Sequence, residues 1–240
     1  MDKAIVLGVG PADGLGGQLA VRFAASGHHV FVAGRTQASL DELSSVIEGS
    51  GGQATAVVTD ATNESSVINL LETVDAETGD LTLAIYNAGN NTPGRIIDMD
   101  ADYFERSWRV LCFGGFLFGR ETLRRMQDSG GSLLFTGASA SMRGRPGFGA
   151  FNSGKSALRI LAQAMAKEYG PDGIHVGHVV VDGPIGGEKI RSAFPEYAEK
   201  LGDAGMISIS GIVDAFEYLY QQPRNAWTFE VDVRTSIEKW

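Results

Sequence analysis

Apolar positions fall into two alternating kinds of run along this chain. Near-continuous Val, Ile, Leu and Ala predict strands at 3–9, 28–33, 53–58, 81–86, 132–136, 174–181 and 227–233. Their lack of a polar face suits strands covered on both sides. Between them, apolar residues three and four apart predict helices at 14–26, 37–48, 63–75, 101–127, 151–169, 188–201 and 210–221. Helix 63–75 gathers Val67, Ile68, Leu71 and Val74 on one side; the last helix does the same with Ile212, Val213, Phe216 and Leu219. Regular β–α alternation implies right-handed crossovers and an α/β fold with a doubly wound parallel sheet of about seven strands. No repeat, low-complexity tract or composition break marks a boundary within residues 1–240. The segment poorest in regular signals, 183–208, follows the carboxyl end of a strand, where ligands sit in such sheets, and is expected to form a substrate lid.

The first strand breaks into Gly10-Pro-Ala-Asp-Gly14-Leu15-Gly16 and resumes as a helix with Leu15, Leu19 and Phe23 on one face. Strand, glycine-rich turn and helix N-terminus aim backbone N–H groups at a phosphate. The second strand ends in Gly34-Arg35, with no carboxylate for a ribose 2′-hydroxyl. Arg35 is therefore either a ligand for a 2′-phosphate, favouring NADP over NAD, or a solvated residue opening the next helix. Asp13 argues the other way by placing negative charge near that phosphate. Asp60 and Asn87-Ala88-Gly89 fall on the ends of two further strands.

With 43% hydrophobic and 20% charged residues the chain has the composition of an ordinary soluble protein, and its length lets it bury roughly 70–75% of the unfolded surface. A net charge of −9 argues against nucleic acid or an anionic membrane as the main partner. The lone Cys112, the direct entry from Met1 into a strand and the absence of any long apolar run lead to the expectation of a cytoplasmic protein without signal peptide or membrane span. Cys112 fits a core position better than a nucleophile. His28 and His29 start one strand, and His175 and His178 point to opposite faces of another, so no metal site is expected.

Five pieces now stand in order: Gly10-x-x-x-Gly14-x-Gly16, Asp60-Ala61, Tyr86-Asn87-Ala88-Gly89, Phe151-x-x-x-Lys155 and Gly183-Pro-Ile185. In that order and spacing the chain resembles the short-chain dehydrogenase/reductase family over essentially its whole length. The resemblance implies a single Rossmann-type dinucleotide-binding domain and a nicotinamide cofactor across the strand ends. Gly10, Gly14, Leu15, Gly16, Arg35, Asp60, Ala61, Asn87, Ala88, Gly89, Lys155, Gly183 and Ile185 are the residues it places around that cofactor. It also implies a small-molecule substrate and a homodimer or homotetramer built on the long central helices.

The same resemblance shows where this sequence departs from its family. Phe151 stands at the position of the tyrosine proton donor, Ala138 at the serine that binds the substrate oxygen, and Leu111 at the relay asparagine. The Tyr-x6-Lys register of related enoyl reductases gives Phe148. Lys155 alone remains, and phenylalanine offers it nothing to activate. A carbonyl accepting hydride needs a donor at its oxygen, typically worth about 10²–10⁴-fold in rate. Ser139 and Asp182 are the candidate substitutes, Asp182 as a strand-end carboxylate near Lys155; Asp182 is also read as a helper bonding backbone or the cofactor's carboxamide. Arg143 and Arg145 either greet an anionic substrate or belong to a solvated loop. The resulting expectation is a divergent oxidoreductase, NADP(H)-linked and acting on a small carbonyl, alcohol or activated alkene. The alternative is a nucleotide-binding pseudoenzyme serving as sensor or partner subunit. Trp240 is expected to close a neighbour's pocket or to finish a core.

Overall fold

The computed structural model describes residues 1–89 and 91–238; Trp240 lies outside them. The strands are β1 (Lys3–Leu7), β2 (His29–Gly34), β3 (Gln53–Val58), β4 (Leu81–Tyr86), β5 (Gly131–Thr136), β6 (Ile174–Val181), the two-residue β7 (Ile185–Gly186) and β8 (Ile207–Ser208), and β9 (Glu230–Val233). Seven form one sheet in the order β3-β2-β1-β4-β5-β6-β9, every neighbouring pair parallel. β7 and β8 pair separately. This is a Rossmann-like α/β fold.

The helices are α1 (Leu15–Ala25), α2 (Gln37–Gly49), α3 (Glu64–Asp75), α4 (Ala101–Trp108), α5 (Gly114–Met126), α6 (Gly149–Tyr169), α7 (Glu188–Ala193), α8 (Pro195–Leu201) and α9 (Ile209–Tyr220). Alternate residues of β1 feed two cores. Ile5 and Leu7 pack with apolar residues of α3, α5 and α6; Ala4 and Val6 pack with those of α1, α2 and α9. Burial on both faces is why the strands show no polar alternation. Because the strands run parallel, the loops following β1 to β6 all leave from one edge of the sheet, and α1, α2 and α3 start there.

Two predicted helices are interrupted. The expected helix 101–127 contains a π-helical turn at Arg109–Phe113 between α4 and α5. The hydroxyl of Tyr86, at the end of β4, donates to the Val110 carbonyl in that turn (2.6 Å). Burial raises the Tyr86 phenol far above its usual pKa, so it remains a donor. Gly114 lets the helix pass close, since a Cβ there would lie 2.3 Å from the Tyr86 oxygen. The expected helix 188–201 breaks at Phe194 (φ −141°, ψ 62°), because Pro195 excludes the preceding residue from the helical region and has no N–H to give. The last strand starts at Glu230 rather than at Trp227, whose ring instead stacks on His175 at 4.9 Å.

Tyr86→Phe should lower stability by about 1–2 kcal/mol through the orphaned Val110 carbonyl, read from the urea midpoint. An unchanged midpoint would show that the π turn does not depend on this bond.

Candidate functional site

The glycine turn is shaped by close packing. Gly8 has φ +109°, and a Cβ there would lie 2.3 Å from the Ala88 nitrogen. A Cβ on Gly16 would fall 2.7 Å from the Gly8 carbonyl, and one on Gly34 2.5 Å from that of Val9. Gly34 is thus required by the approach of β2 to the turn, whatever the crevice binds. Gly10 differs: a Cβ there would meet nothing within 4 Å. Helices α3 and α4 begin with side-chain caps from Asn63 and Asp100. Helix α1 begins at Gly14 with no side-chain cap and no acidic residue in its first turn, which leaves its leading N–H groups for another acceptor.

A line of hydrogen bonds runs from this turn across the sheet edge. The Asn87 amide donates to the Gly8 carbonyl (3.0 Å) and accepts from the Thr136 hydroxyl (2.9 Å). Lys155 Nζ donates to the Thr136 carbonyl (2.7 Å). Lys155 is buried, and desolvation pulls its pKa down to about 8. Gly89 lies in front of the amine, its ideal Cβ position 3.5 Å from Nζ. Buried Leu111, in the π turn, packs against Gly89 and Gly154. The wall beside the lysine is therefore hydrocarbon.

The other predicted residues line the same edge in different ways. Arg35 is exposed, with no hydrogen bond or ion pair among the described residues. Asp60 accepts from both the backbone and the hydroxyl of Thr62 through Oδ1, closing its own turn. Ala61 and Leu15 are buried core residues, so only their backbone faces a ligand. Ala88 is half-buried against the α3–α5–α6 core. Gly183 has φ +156°, and Ile185 pairs with Ile207 in the β7–β8 ladder. A cavity of about 310 Å³ lies between the glycine turn and the 183–208 segment, with Asp13, Glu188, Arg191 and Asp203 among its lining residues. Arg191 is ion-paired to Asp203 (2.8 Å). The uncapped α1 N-terminus, the open space at Gly10 and the amine behind Gly89 fit a dinucleotide, whereas the carboxylates of this cavity do not favour its phosphates.

The loop after β5 carries Ala138, Ser139 and Ser141. The Ser141 hydroxyl is turned inward to the Ala138 N–H (3.2 Å). Ser139 is half-buried, and its hydroxyl has no hydrogen bond among the described residues. Asp182 and Lys155, expected near one another, are not joined by any hydrogen bond or ion pair among the described residues. Asp182 is buried and receives both its bonds from Arg143 (2.8 and 3.0 Å), with Arg234 at 3.5 Å. A carboxylate placed among guanidiniums pairs with them before it reaches an amine on another element. Sequence reasoning missed Arg234 entirely, together with the group of His178, Glu230 and Arg159 on the β6–β9 side. There Glu230 accepts from Arg159 (2.6 and 2.9 Å) and lies 2.9 Å from His178 Nδ1. Desolvation pulls His178 down to about 4, and its Nε2 occupies the space that a Cβ on Gly137 would fill. An Arg, a Glu and a His so far apart in the chain give no local signal. Cys112 is buried, which pushes its thiol pKa up. No group of three or more His, Cys, Asp or Glu among the described residues is placed to hold a metal ion, and none of their helices is long and apolar enough to cross a membrane.

Comparison with known proteins places this architecture. The short chain dehydrogenase profile matches residues 4–188. An uncharacterized oxidoreductase of Bacillus subtilis is 31% identical over 192 residues, which is 78% of this chain but 28% of that relative's length. The solved short-chain dehydrogenase of Rhodopseudomonas palustris is 36% identical and superposes with a TM-score of 0.83, covering 97% of this chain and 98% of the other. An alcohol dehydrogenase from the archaeon Thermococcus sibiricus, solved with 5-hydroxy-NADP, shares the fold at 20% identity and a TM-score of 0.85 over 100% of this chain and 99% of the other. The chain belongs to the short-chain dehydrogenase family of oxidoreductases.

Proposed function

We propose that this protein is an NADP(H)-linked oxidoreductase acting on a small carbonyl, alcohol or activated alkene, with a proton donor other than tyrosine. The observation that carries the reading is the meeting of an uncapped α1 N-terminus, an open Arg35 guanidinium and the buried Lys155 amine on one sheet edge. Gly10, Gly14, Leu15 and Gly16 offer backbone to the pyrophosphate and Arg35 to a 2′-phosphate. Asp60, Ala61 and Asn87-Ala88-Gly89 flank the adenosine and ribose, while Lys155, Gly183 and Ile185 bound the nicotinamide end. The bound nicotinamide supplies or accepts the hydride. NAD is the second candidate, favoured by Asp13.

With Phe151 and Ala138 unable to donate, Lys155 and Ser139 are the groups left to serve the reacting oxygen. A lysine whose pKa lies near 8 exchanges its proton close to neutral pH, and the Ser139 hydroxyl is the open donor on the facing loop. Asp182 serves this site by aiming Arg143, since its oxygens are already taken. The 183–208 segment closes over the substrate. Exposed Phe104, Trp108 and Ile160 on α4 and α6 suit a homodimer or homotetramer in the cytoplasm.

Titration with NADPH and NADH tests the first part. Arg35→Ala should weaken NADPH at least about tenfold, the scale of one charge-assisted pair, and leave NADH nearly unchanged. Equal loss for both removes the 2′-phosphate role. Binding without turnover across a carbonyl and alcohol screen would mark a nucleotide-binding protein instead.

The lysine gives a second test, on the cofactor-free protein. Its folded pKa is depressed, so between pH 8 and its ordinary value of 10.5 the unfolded chain holds the extra proton. Stability of the wild type relative to Lys155→Met should therefore rise across that window, by up to about 3 kcal/mol. A flat difference in denaturation free energy between pH 7.5 and 10 would show that the amine is not desolvated.

A further inference from the structure

Asp182 and Arg143 form an arrangement that a simple loop latch does not require. The Asp182 side chain is 2% exposed, whereas that of Arg143 is 43% exposed. Both bonds from Arg143 to the carboxylate leave through one nitrogen, Nη2. Its Nε and Nη1 have no partner among the described residues, so two of the three guanidinium nitrogens remain available beside the end of β6. The arginine's backbone is fixed as well. Its carbonyl accepts from the Asn152 side chain (2.6 Å), its N–H donates to the Ser139 carbonyl (3.1 Å), and Ser156 donates to Ala140 in the same loop (3.0 Å). Held at the head by a buried carboxylate and at the base by α6, Arg143 has little conformational freedom left to lose on binding.

Charge points the same way. Asp182 has two guanidiniums around it, Arg143 and Arg234, the second of which is also paired with Asp232. Two residues beyond Arg143, the Arg145 guanidinium lies 4.9 Å over the Phe148 ring. In a chain of net charge −9, this loop carries two guanidiniums in the stretch between positions 138 and 151, whose side chains carry no donors. A fixed guanidinium with N–H donors to spare can bond the oxygens of a carboxylate or phosphate monoester.

We propose that Arg143, aimed by Asp182, is the substrate-anchoring residue of the crevice and selects molecules that carry an oxyanion beside an apolar body. The inference rests on the oxidoreductase reading of the crevice and names its substrate class.

The test uses cofactor-free protein and three probes sharing a phenyl ring: phenylpyruvate, phenyl phosphate and neutral phenylacetone. In calorimetric titration the wild type should bind at least one anion about tenfold more tightly than phenylacetone. Preference for phenylpyruvate alone assigns a carboxylate, and preference for phenyl phosphate alone a phosphate. Arg143→Gln combined with Asp182→Asn removes the cation without leaving the buried carboxylate unpaired, and should abolish the preference while NADPH affinity stays within about twofold. If that variant does not fold, phenylglyoxal labelling of wild-type Arg143, read by mass spectrometry, should be blocked by the preferred anion and not by phenylacetone. No anion preference in the wild type, preference retained in the variant, failure of protection, or a matching loss of NADPH affinity would each overturn the proposal. Failure of NADPH to bind the wild type would remove the nucleotide reading separately, because the anion titrations contain no cofactor.

Discussion

Four residues hold the crevice together: Gly8 through its carbonyl, Asn87 through its amide, Thr136 through its hydroxyl and carbonyl, and Lys155 through its amine. They tie the carboxyl ends of β1, β4 and β5 to α6. Each link is largely shielded from water, so loss of one member leaves its neighbour without a partner, which costs more than the bond itself contributes when made. The glycines of the first turn follow from this tie. Strand β1 and the segment after β4 approach so closely that Gly8 cannot carry a side chain. The lysine is part of the scaffold before it is part of any chemistry, which accounts for a buried amine beside a phenylalanine that gives it no work.

Around that tie, most neighbouring side chains are hydrocarbon or bond within the loop after β5. Leu111 fills the space between Gly89 and Gly154. Ser141 turns its hydroxyl back to the Ala138 N–H, and the Asn152 amide and Ser156 hydroxyl bond the loop from Ala140 to Arg145. The loop is organised around the Arg143 guanidinium, which buried Asp182 keeps in position.

The strands were legible in the sequence because both sheet faces are covered, so each strand is an uninterrupted apolar run between turn residues. Their parallel order made the edge legible too: once the strands run the same way, Gly10, Asp60 and Asn87 must gather. The π turn was not legible, since it involves a hydroxyl on β4 that lies 24 residues from the carbonyl it binds. Nor was the surrounding of Asp182. Its sequence position marks it as unusual, but Arg143 lies 39 residues away and the two meet only when β5 and β6 pair. Proximity to Lys155 was inferred from the shared edge, and the arginines outcompeted the amine. The break at Phe194 was written in Pro195, whose effect the apolar periodicity of 188–201 concealed.

The excursion between β6 and α9 leaves and returns through two rungs, Ile185 with Ile207 and Gly186 with Ser208. Those rungs stand apart from the seven-stranded sheet, so α7 and α8 are carried on a handle whose two ends are already joined. Residues on that handle can change length, charge or shape without altering the register of the seven-stranded sheet. The wall they give to the cavity beside the glycine turn can therefore vary while the fold stays as it is.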